Sequence, residues 1–240
     1  VADLEAMLRA TIGRHPRDPR SVDAPFDGPP VARRVAFCAE VPGGPTHPDQ
    51  VAAVHAAAAA LDAVGWEVVE VLPPEMEQCY EVWGHVLATD IPRTLDDYTG
   101  TISDEGAHLL RHSANRWTDA AMPPQVAQQE RYRLGRLWAE FLDEHPVLLL
   151  PTWCSRPFCH DDDLTDDLTA LDDLYDGVFR PITPANLLGL PSTQVPAGVA
   201  DGLPLGVQCY ADLHREDLTL AAAGDIEAAL GTITPIDPAT

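Results

Sequence analysis

Arg34-Val-Ala-Phe-Cys-Ala-Glu40 and Trp66-Glu-Val-Val-Glu-Val-Leu72 are two short apolar runs with a helical stretch between them, and their reading decides the fold. Both have strand character. Pro42-Gly-Gly-Pro-Thr-His-Pro48 breaks the first. Asp49 is the expected N-cap of a helix over residues 50–64, and Gly65 is its stop. Strand, helix and strand at this spacing make a βαβ unit, which predicts a parallel pair.

Upstream, residues 1–10 read as a helix already in progress, with Val1, Leu4, Met7 and Leu8 on one face. No capping residue precedes them, which reads as a fragment or a processed subunit. A proline-rich loop follows to Pro30. Downstream, apolar spacing predicts helices over 75–87 and 103–118, and a third from Pro123-Pro124 to about residue 145. Residues 147–150 read as a buried strand between prolines. The acidic stretch 161–176 reads as a solvated loop and helix start. Residues 183–191 predict a short helix that ends at Gly189. Residues 192–196 and 205–210 predict strands, joined as a hairpin through a several-residue loop. A helix over 216–230 ends at Gly231. There is no internal repeat and no clean linker, and the sum is α/β.

Composition excludes several functions. Hydrophobic residues make up 45% of the 240, enough for one sizeable core. Asp and Glu number 38 against 15 basic residues, giving a net charge of -23. That balance argues against nucleic acid and against an anionic membrane surface as partners. Every basic residue is Arg, so no lysine base or Schiff base can come from this chain. Cys38, Cys79, Cys154, Cys159 and Cys209 are odd in number and irregular in spacing, which fits free thiols in a reducing cytoplasm. No apolar run approaches the ~20 residues that span a bilayer, and no signal peptide is visible.

The last third carries a resemblance. Pro184-Ala-Asn-Leu-Leu-Gly-Leu-Pro-Ser-Thr-Gln-Val-Pro-Ala-Gly198, then Asp201-Gly-Leu-Pro-Leu-Gly-Val-Gln208, resembles the C-terminal region of amidase-signature enzymes. His214-Arg-Glu-Asp-Leu-Thr-Leu220 is similar to that family's closing helix. Pro146-Val-Leu-Leu-Leu-Pro-Thr152 resembles a strand ending near the substrate pocket. Phe158-Cys-His-Asp161, and Val1-Ala-Asp-Leu with Arg17-Asp-Pro-Arg-Ser21, also match in order. Each piece alone is a weak signal; the ordered set is more specific and covers nearly the whole chain.

The resemblance implies a mixed β-sheet flanked by helices, with residues 1–240 as the C-terminal portion of a single amidase domain. It implies hydrolysis of carboxylic amides through a Ser nucleophile, a second Ser in a cis peptide and a Lys base, with no cofactor. Those residues belong to a Gly/Ser-rich stretch absent here, and Ser21, Ser103, Ser113, Ser155 and Ser192 sit in unrelated contexts. No catalytic residue is therefore assigned to this chain. The expected partners are a small amide substrate and the N-terminal half of the enzyme; a homodimer stays open. One rival reading is a noncatalytic interaction subunit; the other is an amidotransferase subunit.

Pocket candidates follow from position, because ligands in open α/β sheets lie beyond strand carboxyl ends. Thr152, Trp153 and Cys154 follow such an end, and Asn186 and Gln194 flank the hairpin. Trp83 is placed by the resemblance on a helix facing the channel. A tryptophan at helical spacing also reads as core, and Asn186 as a local backbone bridge. Cys154, Cys159, His160 and the aspartates after it have the wrong spacing for a zinc site, so no metal is assigned. His108 and His112 share a helix face without the Glu of a zinc protease. A triad of Ser155, His160 and an Asp lacks a nucleophile elbow.

Overall fold

A computed structural model of the chain describes residues 1–98, 100–117 and 122–232. β1 (Arg34–Phe37) and β2 (Glu67–Glu70) are parallel, with Ala36 opposite Val69. They are joined by α2 (Pro48–Ala63). The expected cap is corrected by one turn feature. His47, not Asp49, caps α2, because its Nδ1 accepts the Asp49 N–H at 3.2 Å while Pro48 presets the first helical position.

β3 (Val147–Pro151) lies beside β1 and parallel to it. Beyond it come β5 (Leu203–Tyr210) and β4 (Ser192–Ala200), both antiparallel to their neighbours, so the order is β2-β1-β3-β5-β4. The hairpin is tighter than its sequence suggests. β4 runs on to Ala200 through a bulge between Pro196 and Gly198, and the turn is Asp201-Gly202 alone. Both turn residues have positive φ, 50° and 81°, the geometry that matches strand twist in a two-residue hairpin.

Alternation along β3 feeds two cores. Val147 and Leu149 point to α2 and to α8 (Glu216–Leu230). Leu148 and Leu150 point to α3 (Met76–Thr94), α5 (Pro124–Glu144) and α7 (Thr183–Leu188). α3 outruns its expected end and contains Pro92 in its last turn. α4 (Asp104–Arg116) and α6 (Leu168–Phe179) pack on the α3 side; the expected end of α4 at Thr118 lies outside the described residues. α6 turns the acidic stretch into an amphipathic helix that buries Leu171, Tyr175 and Val178.

Among the described residues, α1 (Ala2–Thr11) and the outer face of β4 stay largely exposed. α1 buries no residue, with Leu4 50% and Met7 67% exposed. β4 is a sheet edge whose Ser192 and Gln194 face away from α8. Among the described residues no helix is long and apolar enough to cross a membrane.

All five cysteines are free. Burial pushes the Cys38 thiol up to about 11, and those of Cys79 and Cys209 up to about 12, from 9.0. The stability held by these neutral thiols is fully present below pH 9 and is lost as pH rises through about 11 to 12. Urea unfolding across this range is expected to show a falling alkaline limb that Cys209→Ala makes shallower. A limb unchanged by the substitution contradicts this assignment.

Candidate functional site

The loops after β1 and β3 meet at the same end of the sheet. Arg180, 4% exposed, sits between α6 and α7. Its Nη1 donates to the carbonyls of Val41, Pro42 and Gly44 at 2.9, 3.1 and 2.9 Å. Its Nη2 reaches Pro45 O at 2.6 Å, and its Nε reaches Asp176 O at 2.6 Å. A guanidinium is thus cradled by backbone dipoles instead of a carboxylate. The cradle needs its glycines, since Gly43 has φ 92° and a Cβ on Gly44 would lie 3.1 Å from Arg180 Cζ. The same loops are stitched by His47 N–H to Cys154 O and Cys154 N–H to Gly177 O, each 2.6 Å. Arg156 adds ion pairs to Asp49 and Asp201 at 2.5 and 2.7 Å.

This frame holds a cavity of about 400 Å³ at the carboxyl end of β3, lined in part by Thr152, Trp153 and Gln194. Gln194 Nε2 donates to Thr152 Oγ1 at 2.8 Å. The bond passes over Gly206, where a Cβ would lie 2.7 Å from Thr152 Oγ1 and would displace that hydroxyl. Gln208 forms the back wall, its Nε2 donating to Pro151 O and Pro181 O at 3.0 and 3.1 Å. Gln50, 3% exposed, donates to Ser155 O at 3.0 Å. Trp153 stacks on Phe158 with centroids 5.4 Å apart. No lining residue is charged. The Thr152 hydroxyl proton and Gln194 Oε1 have no partner among the described residues, so the pair presents one donor and one acceptor.

The remaining expected positions fall elsewhere. Trp83 belongs to an aromatic cluster, 5.2 Å from Phe179 and 6.2 Å from Tyr80 and Trp117. Asn186 is exposed and donates to Ile182 O at 3.3 Å, the local bridge noted above. Cys154 faces the core and a second hollow shared with Arg180. Burial raises its thiol, against a smaller pull from Arg180 and Thr46, so it stays protonated near neutrality. Ser155 Oγ is buried without a partner, and His160 is exposed, so these two do not form a triad. His112 and His108 reach separate carboxylates, Asp172 at 3.0 Å and Asp166 at 3.9 Å. Sequence reasoning missed Arg180, Gln50, Gly206 and Gln208. Gly206 and Gln208 lay within the quoted stretch Asp201–Gln208, and the signal for Arg180 was a lone arginine within the apolar run Val178-Phe-Arg-Pro-Ile182.

The family model described as Amidase matches residues 1–220. The chain belongs to the amidase family. It is 30% identical to an indoleacetamide hydrolase of Bradyrhizobium diazoefficiens over 97% of its own length and 45% of that protein's. It is 26% identical to a glutamyl-tRNA(Gln) amidotransferase subunit of Salinispora tropica over 96% of its length and 54% of that protein's. In fold it is similar to 6-aminohexanoate cyclic dimer hydrolase, with TM-score 0.69 and 23% identity, covering 95% of this amidase chain and 53% of the other. The chain therefore spans about half the length of the relatives it matches. The mixed sheet flanked by helices is the arrangement expected of an amidase.

Replacing Arg180 with Met is expected to destabilise the amidase fold by about 3–5 kcal/mol in urea unfolding, because several buried carbonyls lose their donor. Arg180→Lys should rescue little, since an ammonium lacks the planar fork. A cost under about 1 kcal/mol for Arg180→Met would contradict the clamp.

Proposed function

We propose that this chain is the C-terminal portion of a single amidase domain, and that the whole enzyme hydrolyses carboxylic amides to an acid plus ammonia or an amine. The observation that carries the reading is the uncharged cavity in an amidase-family chain, where Thr152 and Gln194 leave one donor and one acceptor free. A carboxamide offers the complement, a carbonyl acceptor and an N–H donor. In this reading the chain supplies pocket walls. The nucleophile and its lysine come from the rest of the polypeptide, because this chain has no lysine and Ser155 Oγ has no hydrogen-bond partner among the described residues. The exposed faces of β4 and α1 are the natural seat for that N-terminal portion, since an open edge and an uncovered apolar face both favour pairing. The free thiols suit a reducing cytoplasm.

A second reading is an amidotransferase subunit that passes ammonia to another site, favoured by the relatives of that name. Substrate choice separates the two. A panel of aryl and aliphatic amides, with glutamine as the competing donor, is offered to this chain alone and to the chain mixed with an N-terminal half from a close relative. Hydrolysis of simple amides in the mixture alone is the expected result. Turnover by the repurified chain alone would overturn the division of labour, and glutamine as the sole substrate would favour the amidotransferase. In the full-length enzyme, Trp153→Ala is expected to lower kcat/KM for aryl amides about tenfold, mostly through KM, as an aromatic wall worth ~1–1.5 kcal/mol is lost.

A further inference from the structure

α5 turns two unlike faces outward. On one, Arg133 is held by Glu75 at 2.9 and 2.5 Å and by Glu130 at 2.9 Å. On the other, Arg131, Tyr132 and Arg136 line a groove of about 660 Å³ whose floor is hollowed by Gly135. Arg20, Leu188 and Leu213 close the opposite side.

The charge of this groove runs against the chain. Carboxylates outnumber basic residues 38 to 15. Arg9, Arg33, Arg34, Arg116, Arg133, Arg156 and Arg215 each reach one. None of the residues lining the groove is Asp or Glu. Arg20 and Arg136 have no side-chain partner among the described residues, and Arg131 gives only its Nε, to Leu187 O at 2.5 Å. Tyr132, 63% exposed, lines the same groove. Isolated surface arginines serve solubility. Arg20, Arg131 and Arg136 line one concave surface that has no carboxylate in its lining, an excess of positive charge that an anion would neutralise.

We propose that this groove binds a small organic anion, a carboxylate or phosphate carried on an aromatic or apolar body. Guanidinium forks take such groups bidentately, while Tyr132, Leu188 and Leu213 cover the body. The volume lies within the range of roughly 300–1,000 Å³ usual for small-molecule sites. The groove shares no lining residue with the Thr152 cavity, so the proposal is independent of the amide reaction.

Calorimetric titration of the full-length protein with phenyl phosphate, phthalate and neutral phenol tests it. At least one anion is expected to bind with Kd below about 1 mM at low salt, to weaken as salt rises, and to outcompete phenol. Arg20→Gln and Arg136→Gln should each weaken it about tenfold with unchanged melting temperature, as neither side chain has a partner among the described residues. The stronger of the two anions identifies phosphate or carboxylate as the preferred group. Absence of binding at ~10 mM, as when the rest of the polypeptide covers the groove, overturns the proposal. So does binding that both substitutions leave intact, which would place the anion elsewhere.

Discussion

The buried Arg180 guanidinium is the tie on which the working end of the molecule depends. It converts a loop that would otherwise be irregular into a fixed bridge between β1 and α2, using five backbone carbonyls as its counter-charge. A cation removed from water is costly unless its donors are satisfied, and here each nitrogen is. Because α2 starts where this loop ends, the clamp also sets Gln50 against the cavity. Cys154, stitched to His47 and Gly177, carries the same constraint to Thr152 and Trp153. The cavity is thus positioned in part by bonds between loops, from the Arg180 guanidinium and from the Cys154 backbone.

The sheet tells a complementary story. Its centre is saturated, with both faces of β3 buried, while its β4 edge stays open. The chain spans about half the length of the relatives it matches, and the edge lies beside Gln194. The cavity offers neutral hydrogen bonding and an aromatic wall.

Much of the fold was legible because its signals are local. The βαβ unit could be read from period and punctuation around Gly65, and the position of Thr152 and Trp153 just past the end of a strand from the proline-bounded apolar run before them. What failed was non-local or compensated. Pro196 hides the length of β4, since proline normally interrupts a strand, yet an edge tolerates it. Pro42-Gly-Gly-Pro45 reads as a breaker until Arg180 arrives from far along the chain to use its carbonyls. Trp83 reads equally well as channel or core, and the docking of Trp117 and Phe179 against it places it among aromatics. His47 caps α2 with an imidazole, a group that the preference for Ser, Thr, Asp and Asn at this position does not single out beside Asp49.

The central claim is that the nucleophile lies outside these 240 residues, and trapping the acyl-enzyme tests it most directly. The full-length protein is treated with a slowly deacylating amide or ester, digested, and the acylated residue is located by mass spectrometry. The account predicts a single acylated serine outside residues 1–240. Stoichiometric acylation of Ser155, Cys154 or any other residue within them would contradict it.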